Sequence, residues 1–442
     1  MSHVIRRQSL WAAMLVSTLA LPGARGEDWP RFRGAGGLGI GGSAVPTTWS
    51  ESERLRWKTP LPGPGSSSPV VHGNDVFVTC YSGHGVPGEA GGGREGLVRH
   101  LLCVDRGTGR VAWQRDISGD AAEDAYQGFL TEHGYASSTP AVDADAVYAF
   151  FGKSGVVAFD RTGRELWRAA VGRESSTRRW GSAASLILHG DLVIVNAAEE
   201  SQSIRGLDRR TGREVWKAEA AALELAYGTP VVATLPDGRD ELVLAVPEEV
   251  WGLDPRTGKL RWHASHQLTG NVSPSVVVDG DVAYVFGGFR SAGSLAIRLG
   301  GTGDVSRTNV LWTSRTSSYV ATPLLHEGHL YWIDDRGQAF CADAKTGAQV
   351  YRHRVPEIAA GGRPVYASPV LSDGKLFVAT RWDGVLVLPA RPEYELLARN
   401  RFSGDESDMS GSPAIADGRL FLRSGRFLYC VGDDAAAGTN RR

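Results

Sequence analysis

Apolar positions along the chain fall in short runs and not in long amphipathic stretches. Residues 138–167 are representative: STPAVDADAVYAFFGKSGVVAFDRTGRELW. Four β-branched or aromatic runs are separated there by Asp, Gly and Ser clusters. No apolar stripe at helical spacing is long enough for a helix pair. The segment therefore predicts four short strands and three turns. A small residue, then Pro, then an apolar pair opens each unit. It stands at Ser68-Pro69, Thr139-Pro140, Thr229-Pro230, Ser273-Pro274, Thr322-Pro323, Ser368-Pro369 and Ser412-Pro413, with a degenerate copy at Ala183-Ala184. Successive spacings from Pro69 are 71, 44, 46, 44, 49, 46 and 44. A period of about 45 residues built from four strands predicts an all-β, eight-bladed propeller of four-stranded antiparallel blades.

A second marker keeps the same register. Asp-x-x-Thr-Gly or a close variant occurs at Asp105–Gly109, Asp160–Gly163, Asp208–Gly212, Asp254–Gly258 and Asp343–Gly347. Asp caps such a turn and Gly takes its positive φ. Four residues later stands an aromatic: Trp113, Trp167, Trp216, Trp262 or Tyr351, with Trp312 in the divergent fifth repeat. These rings are expected to pack between neighbouring blades. The eighth repeat supplies three strands only, while residues 54–63 carry Trp57 ahead of the first Ser-Pro marker. The N-terminal strand should complete the last blade and leave no open edge.

Composition adds the compartment. Arg6 and Arg7 precede an apolar run from Leu10 to Leu21, then Pro22, Ala24 and Gly26. That is a secretory signal over residues 1–26, the run being short for a membrane anchor. An ordinary basic n-region is preferred to a twin-arginine signal. The remainder divides into an N-terminal arm (27–53), the propeller (54–432) and a disordered C-terminal tail (433–442). The whole chain has 48 Lys and Arg against 49 Asp and Glu. Residues 1–26 hold three Arg and no acid, so the mature chain carries 45 against 49, a formal charge of −4. There is no basic footprint for nucleic acid. A periplasmic or secreted monomer without a membrane anchor is expected. Four Cys in 442 residues make no disulfide framework. Cys103, Cys341 and Cys430 share one place in their third strands and read as small buried residues. Aligning strands two and three of the first blade sets Val78, not Cys80, opposite Cys103, and a Cys80–Cys103 bridge stays open as an alternative.

AFDRTGRELW, GLDRRTGREVW and GLDPRTGKLRW, with the Ser/Thr-Pro starts, resemble the PQQ-like β-propeller repeat family over about residues 28–432. DWPRFRG (28–34) and HGYASSTPAV (133–142) resemble its secreted bacterial members. The resemblance implies one of two roles. Some relatives are quinoprotein dehydrogenases using pyrroloquinoline quinone (PQQ) and Ca²⁺; others are non-catalytic scaffolds such as BamB, which helps assemble envelope proteins. The isolated cysteines lack the adjacent Cys-Cys pair common in the enzymes, and the tight repeat spacing leaves little room for cofactor loops. A scaffold with a protein partner, no catalytic residues, no metal ligands and no cofactor is therefore expected. A PQQ-dependent dehydrogenase of alcohols or sugars is the alternative, and a carbohydrate-binding propeller a third reading.

Topology places one candidate face. Tyr135, Trp180, Tyr227, Tyr319 and Tyr366 stand just before first strands of five repeats and should gather at one channel mouth. Arg363 lies beside them. Loops between second and third strands add Lys153, Glu199, Glu200, Glu248, Glu249, Arg290, Asp334, Asp335, Arg336, Arg381, Trp382 and Asp383. Aromatics in a polar rim suit a binding surface; the opposing reading is that they plug the funnel. Two insertions border blade one: a glycine-rich, expectedly mobile loop (83–96), and residues 116–134. The acids Asp116, Asp120, Glu123 and Asp124 in the second match no Ca²⁺ loop and read as solvated. If a lid exists it is here, with His133 facing the mouth.

Overall fold

The computed structural model describes residues 27–89, 92–289 and 291–433; the expected signal segment and residues 434–442 of the expected tail lie outside them, as does Arg290. Eight antiparallel sheets are arranged as blades around a channel. Their innermost strands begin at Val70, Ala141, Ile187, Val231, Val277, Leu324, Val370 and Ala414. Seven sheets have four strands. Blade four has a fifth, Gly303–Asp304, lying parallel to Leu260–Ser265 and donated by the divergent fifth repeat. Leu55–Pro60 pairs antiparallel with Phe427–Gly432, so the chain's first strand is the outer strand of its last blade. Asp433 extends this closure through an ion pair with Arg54 at 2.9 Å.

A chain of amide-to-hydroxyl hydrogen bonds links the inner strands. The amide of Ser68 donates to the Thr139 hydroxyl, Thr139 to Ser185, Ser185 to Thr229 and Thr229 to Ser275, at 2.9 to 3.0 Å. Ser275 continues to Thr322, Thr322 to Ser368 and Ser368 to Ser412, at 2.8 to 3.0 Å. Seven seams between blades are joined this way. At the eighth, the buried Arg423 guanidinium donates to the Thr79 carbonyl at 3.1 Å. This corrects two repeat markers. The structural equivalents in repeats three and five are Ser185 and Ser275, not Ala183-Ala184 and Ser273-Pro274. The linking hydroxyl is the common feature, and Pro is dispensable beside it.

The outer tryptophans lock each blade to the next. Indole N–H groups of Trp57, Trp113, Trp167, Trp216 and Trp312 donate to backbone carbonyls in the following blade's outer turn, at 2.9 to 3.2 Å. The turn's glycine lies on the ring face; a Cβ at Gly109, Gly163, Gly212, Gly258 or Gly347 would come within 2.3 to 2.8 Å of it. Trp262 is the exception. The fifth repeat lacks the Asp-x-x-Thr-Gly turn, and this indole instead donates to the fully buried Glu241 of its own blade at 2.9 Å.

Each of these rings faces a small residue across its sheet, because the ring fills the space a larger side chain would need. Cys103 opposes Trp113, Cys341 opposes Tyr351 and Cys430 opposes Trp57. Ala158, Gly206, Gly252 and Ala296 hold the same place elsewhere. The cysteines are thus spacers. The register differs from expectation in blade one: Phe77 opposes Cys103, and Cys80 opposes His100. Three residues of chain separate the two cysteines' pairing positions, and all four thiols are free and buried.

The arm crosses one end of the channel. Trp29 pairs with Val71 of blade one, the Pro30 carbonyl accepts from Val142 of blade two, and Ile40 pairs with Leu371 of blade seven.

Replacing Trp216 by Ala should cost about 3–5 kcal/mol in urea unfolding, since it removes a buried ring and its interblade bond together. A thiol reagent should find no reactive cysteine in the native protein and four after denaturation. Burial holds the thiols of Cys341 near 11 and of Cys80 and Cys430 near 12, so native thiolate is scarce.

Candidate functional site

Both ends of the channel are covered by chain outside the repeats. Phe32 of the arm forms the floor, and the 116–134 insertion forms the roof. Between them lies a chamber of about 160 Å³. All eight inner-strand hydroxyl residues, from Ser68 to Ser412, border it. Phe129 caps it, with its ring centroid 4.5 Å from Trp180 and 6.3 Å from Tyr319. The Arg363 guanidinium sits 4.4 Å from the Phe129 ring and 5.0 Å from that of Tyr319, in cation–π range.

The roof is pinned by a one-turn helix, Leu130–His133. His133 Nε2–H donates to the Trp180 carbonyl at 2.9 Å, and its Nδ1 accepts from the Ser137 hydroxyl at 2.5 Å. The carbonyl contact selects the Nε2–H tautomer. Burial lowers this imidazole to about 4. On the rim, Arg381 pairs with Glu132 at 2.5 Å and also with Asp408, and lies 4.9 Å from the Tyr366 ring and 4.4 Å from that of Trp382.

Beneath the lid two of the insertion's four acids, Glu123 and Asp124, are buried and not solvated, whereas Asp116 is exposed as expected. Glu123 pairs with Arg99 at 2.8 Å and Asp124 with Lys153 at 2.9 Å, every side chain in both pairs being more than nine-tenths buried. Asp120 pairs with Arg173, and Asp116 with His100. Arg99 and Lys153, rising from blades one and two, draw Glu123 and Asp124 inward. Glu199 and Glu200 sit in the same buried layer. Glu199 accepts from the Tyr227 hydroxyl at 2.6 Å, and Glu200 accepts from Ser182. Desolvation raises both carboxyls, Glu200 to about 7. The glycine-rich loop is tied at its described ends: Tyr81 donates to the Gly85 carbonyl, His84 bonds that of Gly92, and Arg94 donates to that of Glu123.

Of the aromatics expected at one mouth, Trp180, Tyr227, Tyr319 and Tyr366 border the chamber. Tyr135 does not. Gly134, at φ 71°, turns the chain after the helix, and Tyr135 packs with Tyr81 and Tyr126 while donating to the Asp124 carbonyl. Arg363 lies over the roof, and Trp382 is the member most open to solvent, at 44%. Trp382 borders an outer groove of about 770 Å³, walled by the Pro60–Gly65 segment, Tyr126, Arg381 and Phe427. Phe32 and Phe129 were not among the expected site residues. Both lie in non-repeating segments, where periodicity gives no position; the only signal was the aromatic character of DWPRFRG and of the insertion.

The unfolded chain protonates His133 below about 6.5, whereas the folded chain holds it neutral to about 4. The unfolded state therefore binds the extra proton, and this group's contribution is lost as pH falls through that window. Glu200 acts oppositely, binding a proton in the folded state between about 7 and 4.5. The stability advantage of the parent over His133→Gln should accordingly shrink by about 2 kcal/mol from pH 7 to pH 4.5, read from urea midpoints. A pH-independent difference would mean the ring is solvated.

Three comparisons set this architecture among known proteins. A family model described as outer membrane protein assembly factor BamB matches residues 40–178 and 98–353. The crystal structure of BamB from Moraxella catarrhalis superposes with a TM-score of 0.59 at 15% identity, covering 85% of this chain and 99% of that one. Quinohemoprotein alcohol dehydrogenase ADHIIG from Pseudomonas putida HK5 gives 0.50 at 13%, covering 83% and 76%. Tetrathionate hydrolase of Acidithiobacillus ferrooxidans is 19% identical over 374 residues, 77% of this chain and 68% of that protein. At these identities the structural likenesses establish fold. With the repeat, the ring closure and the family match together, the chain belongs to the BamB-type family of PQQ-like β-propellers.

Proposed function

We propose that this chain is an exported, non-catalytic propeller that binds protein partners on its lid-bearing face. The observation that carries the reading is the contrast between two adjoining spaces. The axial chamber is filled at its mouth by the chain's own Phe129, whereas the groove beside it is open and carries Trp382, Phe427 and a proline-rich wall. Rigid aromatics and proline beside charged groups are the usual makings of a protein-binding patch. The family description, an outer membrane protein assembly factor, supports a partner from the cell envelope. The basic and then apolar pattern of residues 1–26 supports export, and no helix among the described residues is long and apolar enough to cross a membrane.

The dehydrogenase alternative requires PQQ, a planar tricarboxylate, beside Ca²⁺, which takes about six to eight oxygen ligands. The axial chamber offers few such ligands. Its one bordering carboxylate, Glu132, is committed to Arg381. Among the described residues no three His, Cys, Asp or Glu are grouped to hold a metal ion. The residues do not fit the pair, which supports the reading without this cofactor.

Envelope extract passed over immobilised mature protein should yield a reproducible partner, and Trp382→Ala should cut its recovery several-fold at unchanged melting temperature. Undiminished recovery would move the binding surface elsewhere. A saturable, Ca²⁺-dependent rise in melting temperature with PQQ would instead restore the dehydrogenase reading.

A further inference from the structure

We propose that the axial chamber binds a small free oxyanion of the sulfate or phosphate type, held by the inner ring of hydroxyls above Arg33. This site is separate from the outer groove and independent of the protein-binding reading.

The first observation is an unused set of donors. The hydroxyl oxygens of Thr139, Ser185, Thr229, Ser275, Thr322, Ser368 and Ser412 each accept the amide N–H of the preceding blade. A hydroxyl also carries one O–H donor. Among the described residues none of these seven donates that hydrogen, and the Ser68 hydroxyl makes no hydrogen bond at all. All eight residues are more than nine-tenths buried, and all border the chamber. Eight O–H groups without a protein acceptor among the described residues therefore line one axial space. Buried donors require acceptors, and O–H bonds to anionic oxygen are the short, strong ones.

The second observation is a buried charge. Arg33 is 2% exposed. Its Nε donates to the Gly37 carbonyl, one terminal nitrogen to those of Thr322 and Pro369, and the other to those of Leu38 and Pro323. Its five N–H groups are satisfied by neutral oxygens, and among the described residues no carboxylate balances its charge. Desolvation alone lowers it to about 9. The guanidinium touches the carbonyl of Thr322, whose hydroxyl belongs to the ring, and Phe32 next to it is the chamber floor. A buried cation without a carboxylate partner, lying behind the floor, adds to the eight O–H donors in favouring an anion in the chamber.

The remaining groups do not oppose this. Glu132 borders the chamber, but it is 37% exposed and its charge is offset by the pair with Arg381. His133 is neutral, and its N–H is spent on the Trp180 carbonyl. A volume of about 160 Å³ accommodates a tetrahedral oxyanion with a few waters.

The test is calorimetric titration of the full mature chain, dialysed into chloride, with sodium sulfate and separately with sodium phosphate at constant ionic strength. Melting temperature is followed after overnight equilibration, because the lid must open. Saturable binding with a rise in melting temperature is expected. Ser68→Ala removes an O–H that bonds nothing in the protein, so it should leave the ligand-free melting temperature unchanged and weaken binding about tenfold. Arg33→Gln should weaken it further; where that variant fails to fold, Ser68→Ala decides. No saturable binding of either anion below about 10 mM, or binding that Ser68→Ala leaves intact, overturns the proposal and assigns the ring to water.

Discussion

A propeller is a row of sheets that must close on itself, and this one closes by pairing its first strand with its last. Leu55–Pro60 against Phe427–Gly432 turns eight otherwise open blades into a ring. Without that pairing, the third strand of blade eight would present unpaired amides and carbonyls, and the inner seams would end on a free face. The hydroxyl links depend on the same closure, because each inner strand holds its neighbour only while the circle keeps them at a fixed angle. The seam between blades eight and one is the one where the amide-to-hydroxyl link gives way to Arg423 reaching the Thr79 carbonyl.

Outside the ring of hydroxyls, a second ring is formed by indoles. Each of these Trp except Trp262 is held on three sides: a small residue across the sheet, a glycine of the next blade's turn on its face, and a backbone carbonyl accepting its N–H. This arrangement gives the repeat its marker residues and accounts for the cysteines as spacers. It also shows where the repeat weakens. Blade seven has Ala398 opposite Val387 where others have a ring opposite a small residue, and the arm's Trp49 covers this region, its amide bonded to Asn400 and its ring 6.4 Å from Phe377.

The parts that distinguish this chain from a bare propeller are the parts that do not repeat. The arm closes one end of the channel with Phe32 and Arg33. The insertion closes the other with Phe129 and His133, above a buried layer in which Glu123 and Asp124 are paired with Arg99 and Lys153 and Glu199 and Glu200 accept from Tyr227 and Ser182. Such a layer is costly to desolvate and tolerable only when its members are paired, so lid and blades are held in one specific relation. The result is a small axial chamber and, beside it, an exposed aromatic groove.

The sequence by itself determined the fold class, the number of blades, the closing strand and the place of the tryptophans, because each follows from local periodicity and from a turn that only Asp and Gly readily form. It also put Trp180, Tyr227, Tyr319 and Tyr366 at one end of the axis, since topology assigns their loops to a face. Only the tertiary structure decided which hydroxyls link the blades, that Phe77 and not Val78 faces Cys103, that Tyr135 turns away, and that Glu123 and Asp124 are buried. Those outcomes rest on contacts between segments far apart in sequence, where one residue of register or one glycine at positive φ redirects a side chain. Periodicity fixes what is the same in every blade; the channel's contents are set by the segments that are not.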